Sequence, residues 1–443
     1  MTAARRRRVL TAAALGLLAA ALAVAALEHA LRASAAEDAG ARPAAQRPAA
    51  SSGPPLRRWI WISPAEVRRL PESGPAWEQV LATADSKMGH ADLSDQDETH
   101  DTTVLAVALV YARTGEERYR RKAAAGIMDA IDTERGGRTL ALGRGLLAYV
   151  VAANLIDLHD WDPAQDGVFR KWLDRVRRER LEPDARPTLI ATHERAPNNW
   201  GAHAGASRMA ADVYLGDAAD LARAAAVFKG YLGDRSAYRG FRFGADDSWQ
   251  ADPAAPVGVL PPGATKDGHD LSGALPDDMR RGCSFRWPPC GTRYPWEALQ
   301  GLTAQAEILF RQGYDAYAWQ HAAVRRAAQF LLRLDHEFPD DGWATPNVDE
   351  WLLWLLKDRY GLGVPVAAAA GPGRGMGFTG WTHARPPCPH LTCRRPLAPY
   401  RRVAPIAPPA PQGGGGPDLP SIGLTGALLA VVARLLRVLR SLL

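Results

Sequence analysis

The stretch Trp200-Gly-Ala-His-Ala-Gly-Ala-Ser-Arg-Met-Ala-Ala-Asp-Val-Tyr-Leu215, then Gly216-Asp217, then Ala218-Ala-Asp-Leu-Ala-Arg-Ala-Ala-Ala-Val-Phe-Lys-Gly-Tyr-Leu232, decides the fold. Apolar residues recur every three or four positions on both sides of the glycine, so the segment predicts two amphipathic helices joined by a tight turn. Working outward, the same grammar recurs. Trp296–Arg311 turns at Gly313-Tyr314 into Ala316–Asp335, and Val104–Arg113 passes through Thr114-Gly115 into Glu116–Ile131. Leu140–His159 is followed by Asp162–Glu182. Ser63-Pro-Ala-Glu66 is a capping box with proline at the first helical position, predicting a helix from there to about Lys87. No convincing run of alternating strand character is present. The glycine turns at 115, 216 and 313 lie roughly 100 residues apart, too loosely matched for a tandem repeat. They fit an all-α fold of helical hairpins stacked around an axis, an incomplete α/α toroid.

The flanks read differently. Arg5 to Arg8 precede a 19-residue apolar run from Val9 to Leu27, and Ala33-Ser34-Ala35 offers a cleavage site. Residues 1–35 therefore read as a signal peptide or an N-terminal membrane anchor, and either places the body outside the cytoplasm, secreted or in the cell envelope. Residues 36–56 are Ala/Pro/Arg/Ser-rich and read as a disordered linker. Residues 385–422 are rich in proline and glycine, a composition that cannot bury a core. In 423–443, Arg434, Arg437 and Arg440 share one side of an otherwise apolar helix, suited to an anionic membrane surface, or the segment is an unstructured tail. The body is 57–384.

The composition of the 443 residues, 47% hydrophobic and 23% charged, is that of a globular protein with disordered flanks. It excludes a polytopic membrane protein and a disordered polyelectrolyte. The formal charge of +6 resides in the ends: 1–56 holds 7 basic and 3 acidic residues, 385–443 holds 8 and 1, and the body carries −5. No basic recognition helix or nucleic-acid-binding module is present, so nucleic acid is not an expected partner. Cysteines fall in two close pairs, Cys283/Cys290 and Cys388/Cys393, which in an exported protein predict two short disulfides. Cys388-x-His390-x-x-Cys393 would be half a metal site with no second half, so no metal or other cofactor is expected.

Two segments carry candidate chemistry. In Thr192-His193-Glu194-Arg195-Ala196-Pro197-Asn198-Asn199-Trp200-Gly201-Ala202-His203, Pro197 disfavours helix at Ala196 and a new helix starts at Asn198 or Asn199. The Asn pair is a good cap, a purely structural role. It also stands beside Trp200, His203 and Arg208, and Asn199 and His203 share a helix face, a plausible setting for anion binding and proton transfer. The second segment is 234–293, some 60 residues with little helical period, expected to be a loop folded over a site. It interleaves arginines with aromatics: Arg280, Arg281, Phe285, Arg286, Trp287, Arg293 and, at its end, Tyr294 and Trp296. Aromatic faces stack on sugars, and arginine grips carboxylates with a planar fork. There is no G-x-S-x-G, Walker loop, Rossmann fingerprint or H-E-x-x-H. Asp246-Asp247, Asp277-Asp278 and Glu297 keep an acid/base glycosidase open as an alternative.

At these motifs the body resembles the alginate lyase branch of the polysaccharide lyases, which share an α/α toroid with chondroitin AC lyases. The resemblance rests on Asn198-Asn199-Trp200-Gly201, Leu275-Pro276 leading to Arg281-Gly282, and Tyr294. It continues through Trp296-Glu297-Ala298-Leu299-Gln300-Gly301, Gln305-Ala306-Glu307 and Gly313-Tyr314-Asp315. It implies β-elimination on a uronate-containing polymer: an Asn and an Arg neutralise the carboxylate, a His or Tyr removes the C5 proton, and a Tyr protonates the leaving oxygen. Asn199, Arg281 and Tyr294 match those positions. Relatives with Asn-Asn-His have histidine where this chain has Trp200, so the base is His203, then His193, or Tyr294 in both roles. Trp200, Trp287 and Trp296 are expected sugar platforms, with Asn198, His193, Glu297 and Gln300 completing the substrate-binding set. The expected partner is an acidic polysaccharide, with membrane contact confined to the two ends. The rival from another class is a non-catalytic envelope protein that binds polysaccharide.

Overall fold

Proline placement, more than apolar period, sets where the first helices stop. In a computed structural model of the chain, the described residues are 55–181, 188–343, 350–364, 366, 371–384, 401, 403 and 404. All belong to one unit, Pro54–Leu443. The Ser63/Glu66 capping box forms, with each side chain accepting from the other's backbone N–H. However, helix α1 covers only Pro64–Val67, and α2 spans Pro75–Asp85 after Gly74 at φ 90°. The expected single helix to Lys87 is broken because Pro71 and Pro75 each restrict the residue before them and remove a backbone donor.

The other predicted helices form in order, together with short or late ones the sequence reading did not name, at Leu189–Arg195, Pro276–Met279, Trp351–Tyr360 and Thr379–Thr382. They are α3 His100–Thr114, α4 Glu117–Asp129, α5 Thr139–Leu155, α6 Leu158–Trp161, α7 Pro163–Val176, α8 Leu189–Arg195, α9 Asn199–Leu215 and α10 Ala218–Tyr231. After the long connection come α11 Pro276–Met279, α12 Tyr294–Arg311, α13 Trp319–Glu337, α14 Trp351–Tyr360 and α15 Thr379–Thr382. The protein is mostly helical. Gly115 and Gly216 close α3 and α9 at φ 73° and 75°, the left-handed conformation that costs glycine least. The predicted helix Ala316–Asp335 starts instead as a 3₁₀ turn, Ala316–Ala318, and Gln320–Ala322 are left-handed, so regular helix begins beyond them. Leu140–His159 is likewise split, with Asp157 left-handed between α5 and α6.

Helix α9 packs against α5, α8, α10 and α12, while α5 also packs on α3, and α3 on α2 and α4. α5 and α9 are buried on nearly every side, which explains why their sequences are mostly small or apolar and why each polar exception, such as Arg144, His203 and Arg208, is itself buried. Two glycines permit the closest crossings. A Cβ at Gly143 would lie 3.0 Å from the Ala204 nitrogen, and one at Gly301 would lie 2.4 Å from the Ala202 carbonyl carbon. The polar ends of α5, α9 and α12 are thereby brought together.

The connection 234–293 is more ordered than its sequence suggests. It holds a two-residue antiparallel ladder, Thr265–Lys266 (β1) with His269–Asp270 (β2), and its own apolar anchors Trp249, Val259, Leu260, Leu271 and Leu275, all buried. Cys283 and Cys290 form the expected disulfide, and the Trp249 indole N–H donates to the Cys283 carbonyl (2.8 Å). The predicted leader, almost all of the linker, the second cysteine pair and the basic C-terminal segment lie outside the described residues. In the Pro/Gly-rich segment, Arg401 donates through Nε to the Gln312 carbonyl on the body (2.7 Å). Among the described residues no helix is long and apolar enough to cross a membrane.

Candidate functional site

Three helix ends converge because each begins at a chain break that proline or asparagine enforces. Ala196 is extended ahead of Pro197, and Asn198 caps α9, its side chain accepting from the Trp200 N–H (3.1 Å). The same residue donates through Nδ2 to Asp277 Oδ2 (2.7 Å), and the Asn199 backbone N–H donates to Asp278 Oδ1 (3.1 Å). Two carboxylates of α11 thus meet the positive end of α9. Burial pushes Asp278 well above the usual carboxylate range, reinforced by neighbouring Asp277, and its Oδ2 has no partner.

The centre of the arrangement is Asn199. Its Oδ1 accepts from Arg281 Nη1 (2.8 Å), and its Nδ2 donates to Glu297 Oε2 (2.7 Å). The Arg281 guanidinium lies over the Tyr294 ring, 3.2 Å from its centroid. On the other side, Glu297 pairs with buried Arg144 of α5 (2.6 Å), and Arg374 approaches its second oxygen at 3.8 Å. The result is a polar chain running Tyr294, Arg281, Asn199, Glu297, Arg144, from residues spread over 154 positions of sequence.

His203, one turn along α9 from Asn199, is buried, and its Nε2 has no hydrogen-bond partner. Burial lowers its pKa well below the ordinary histidine value, and the charges of Arg144 and Arg374 lower it further. A neutral imidazole with an open nitrogen is chemically a base. His193 belongs elsewhere: burial and then Arg208 lower its pKa, and its Nδ1 lies 3.4 Å from Arg208 Nη1. Arg208 in turn forks onto Asp220, so the Arg208 that the sequence set beside the cap serves an ion-pair network under α9 and α10.

Several sequence expectations need correction. Trp296 cannot be a sugar platform: it is 0% exposed, with its indole N–H donating to the Trp343 carbonyl. Gln300 is also 0% exposed and contacts no solvent, although neither its Nε2 nor its Oε1 has a partner. Asn198 is committed to Asp277 and the helix cap, which leaves its amide no substrate role. Asn199 is fully buried with both side-chain ends engaged, so it orients Arg281 instead of meeting a ligand itself. Trp287 is half-buried and stacks on His269 at 4.5 Å, which occupies one of its faces. Trp200 remains half-buried at the first turn of α9. Arg281 and Tyr294 are partly exposed and hold the accessible end of the chain.

Arg144 and Arg374 were missed, and Asp278 was named only among the carboxylates of the glycosidase alternative. Arg144 had a signal: it is the lone charge in Leu140-Ala-Leu-Gly-Arg144-Gly-Leu-Leu-Ala-Tyr-Val150, and a buried arginine needs a partner. Arg374, in a glycine-rich loop, had none. Among the described residues, one group of carboxylates is close enough to hold a metal, Asp212, Asp217 and Asp220. Arg177 and Arg208 already pair with these acids, so the group is neutralised by protein. No family model, curated protein or solved structure matches the chain.

Proposed function

We propose that the body, 57–384, is an α/α toroid polysaccharide lyase that cleaves a uronate-containing, alginate-like polymer by β-elimination. The observation that carries this reading is the triple contact of Asn199, Arg281 and Tyr294, three residues from separate segments. Arg281 is held by Asn199 on one side and against the Tyr294 ring on the other. A substrate carboxylate that pairs with Arg281 sits beside the Tyr294 phenol. Neutralising that carboxylate stabilises the enolate-like charge that grows as the C5 proton leaves. Tyr294 delivers a proton to the departing glycosidic oxygen. The base is Tyr294 itself or His203, whose neutral imidazole lies one helical turn below Asn199. His193, committed to Arg208, drops out. Trp200, half-buried at the first turn of α9, remains the candidate sugar platform.

Glu297 bears on the hydrolase alternative. Held by Asn199 and Arg144, it is poorly placed to act as a general acid, which favours elimination over hydrolysis. The test treats alginate, hyaluronan, heparin-like and pectic polymers with the full chain. Appearance of an ultraviolet-absorbing unsaturated uronate supports the proposal. Reducing ends without that absorbance indicate a hydrolase, and retention on polymer without any cleavage indicates a binding protein.

A further inference from the structure

A cavity elsewhere on the body shares no residue with the Arg281 site. It has a volume of about 380 Å³ and is lined by Arg58, Arg68, Arg113 and Arg120, with Trp59 and Tyr111 among its walls. Asp157 is its single acidic lining residue. Four arginines around one hollow are unexpected on a body of net charge −5. Two of them are neutralised by protein. Arg58 pairs with Asp157 and Asp160, and Arg113 with Glu72 (2.6 Å). The other two form no ion pair among the described residues. Arg68 is exposed at the end of α1. Arg120 is anchored by its Nε to the Ile156 carbonyl (2.8 Å) and lies 4.9 Å from the Tyr111 and Trp161 ring centroids. A guanidinium fixed in this way has lost its rotamer freedom before any ligand arrives, which lowers the entropic cost of binding an oxyanion.

The remaining wall is apolar and aromatic: Pro64, Ala112 and Leu155 beside Trp59 and Tyr111. Arg58 lies over the Trp59 ring and Arg120 over the Tyr111 ring, so guanidinium and aromatic surface stand side by side in the cavity, which suits a ligand with an oxyanion on a compact ring. We propose that this cavity binds a small acidic saccharide, whose carboxylate or phosphate pairs with Arg68 and Arg120 while its ring lies against Trp59 and Tyr111. The site is independent of the lyase reading and stands or falls without it.

Calorimetric titration of the full chain with glucuronate, glucose 6-phosphate, glucose and inorganic phosphate tests this. Glucuronate or glucose 6-phosphate binds and glucose does not, and which of the two binds identifies the anion. Arg68→Glu weakens that binding at least about tenfold, the worth of one charge-assisted hydrogen bond. Arg68 is exposed, so the variant folds, and Arg120→Gln provides a second, more buried perturbation. Tyr294→Phe leaves the affinity unchanged. Undiminished binding in both arginine variants, binding of glucose equal to that of the acids, or inorganic phosphate binding as tightly as the sugar acids would each overturn the assignment.

Discussion

Helix α12 carries two glutamates ten residues apart, and they have opposite surroundings. Glu307 is fully buried and saturated: Arg359 donates to both of its oxygens (2.5 and 2.9 Å), Arg311 donates at 2.7 Å and the Tyr317 hydroxyl at 3.0 Å. Despite burial, the charges of Arg359 and Arg311 hold its pKa well below the usual range. Glu297, at the other end, is partly exposed: Asn199 and Arg144 both meet its Oε2, and Arg374 approaches its Oε1 only at 3.8 Å. A buried carboxylate with donors on both oxygens is a structural joint. One with an open oxygen at a partly exposed position retains hydrogen-bonding capacity that water, substrate or a transferred proton can use. One helix therefore shows the difference between charge used to hold the fold and charge left available for chemistry.

The sharpest way to break this comparison is to neutralise both acids. Glu307→Gln removes the carboxylate that Arg359 and Arg311 share, leaves Arg359 only Asp358 at 3.4 Å, and is expected to cost about 3–5 kcal/mol of stability. Glu297→Gln removes the charge paired with Arg144 but keeps an acceptor at a partly exposed position, and should cost less, about 1–3 kcal/mol. Urea unfolding measures both, and equal losses would end the distinction. Next in size, Tyr294→Phe should lower elimination by about 10²–10⁴-fold, the usual worth of a positioned acid or base. Its urea midpoint should stay near that of the parent, because the hydroxyl is partly exposed and the ring that meets Arg281 is kept.

Smaller effects sharpen the picture. Cys283→Ser with Cys290→Ser removes a short covalent loop between Arg281 and Tyr294, at a cost of about 2 kcal/mol. If the disulfide positions the site, turnover falls more than thermal stability predicts, and a proportionate loss would make it a simple staple. The smallest effect concerns pH. His203 has its folded pKa below its unfolded one, so the unfolded chain takes up a proton first as pH falls. The stability it contributes is complete above about pH 6.5 and is lost progressively below that. His203→Gln should flatten part of the decline in urea midpoint between pH 7 and pH 5. An unchanged slope would show that His203 is not the neutral, buried group described here.

Much of this was legible in the linear chain. The hairpin at Gly216, the Asn198 cap, the Ser63 capping box and the Cys283–Cys290 pair depend on near neighbours, and short-range sterics and hydrogen bonds decide them. The break at Pro71 is equally local, because a proline restricts the residue before it and removes a backbone donor whatever the apolar period. Trp296 shows the limit of residue type as a guide. An aromatic beside an arginine-rich loop suggests a platform, but burial turned it inward against Trp343. Gln300 failed for the same reason.

By itself, the sequence determined the helical class, the order of the helices it named and many of their ends. Periodicity and capping are properties of a few consecutive residues, so they survive without knowledge of the rest. Tertiary packing alone decided that Asn199 orients Arg281, that Arg144 and Glu297 complete the chain behind it, and that His203 is kept neutral. Those outcomes depend on how closely α5, α9 and α12 approach at Gly143 and Gly301, and on the burial and charge that approach creates. Neither quantity is carried by any short stretch of residues.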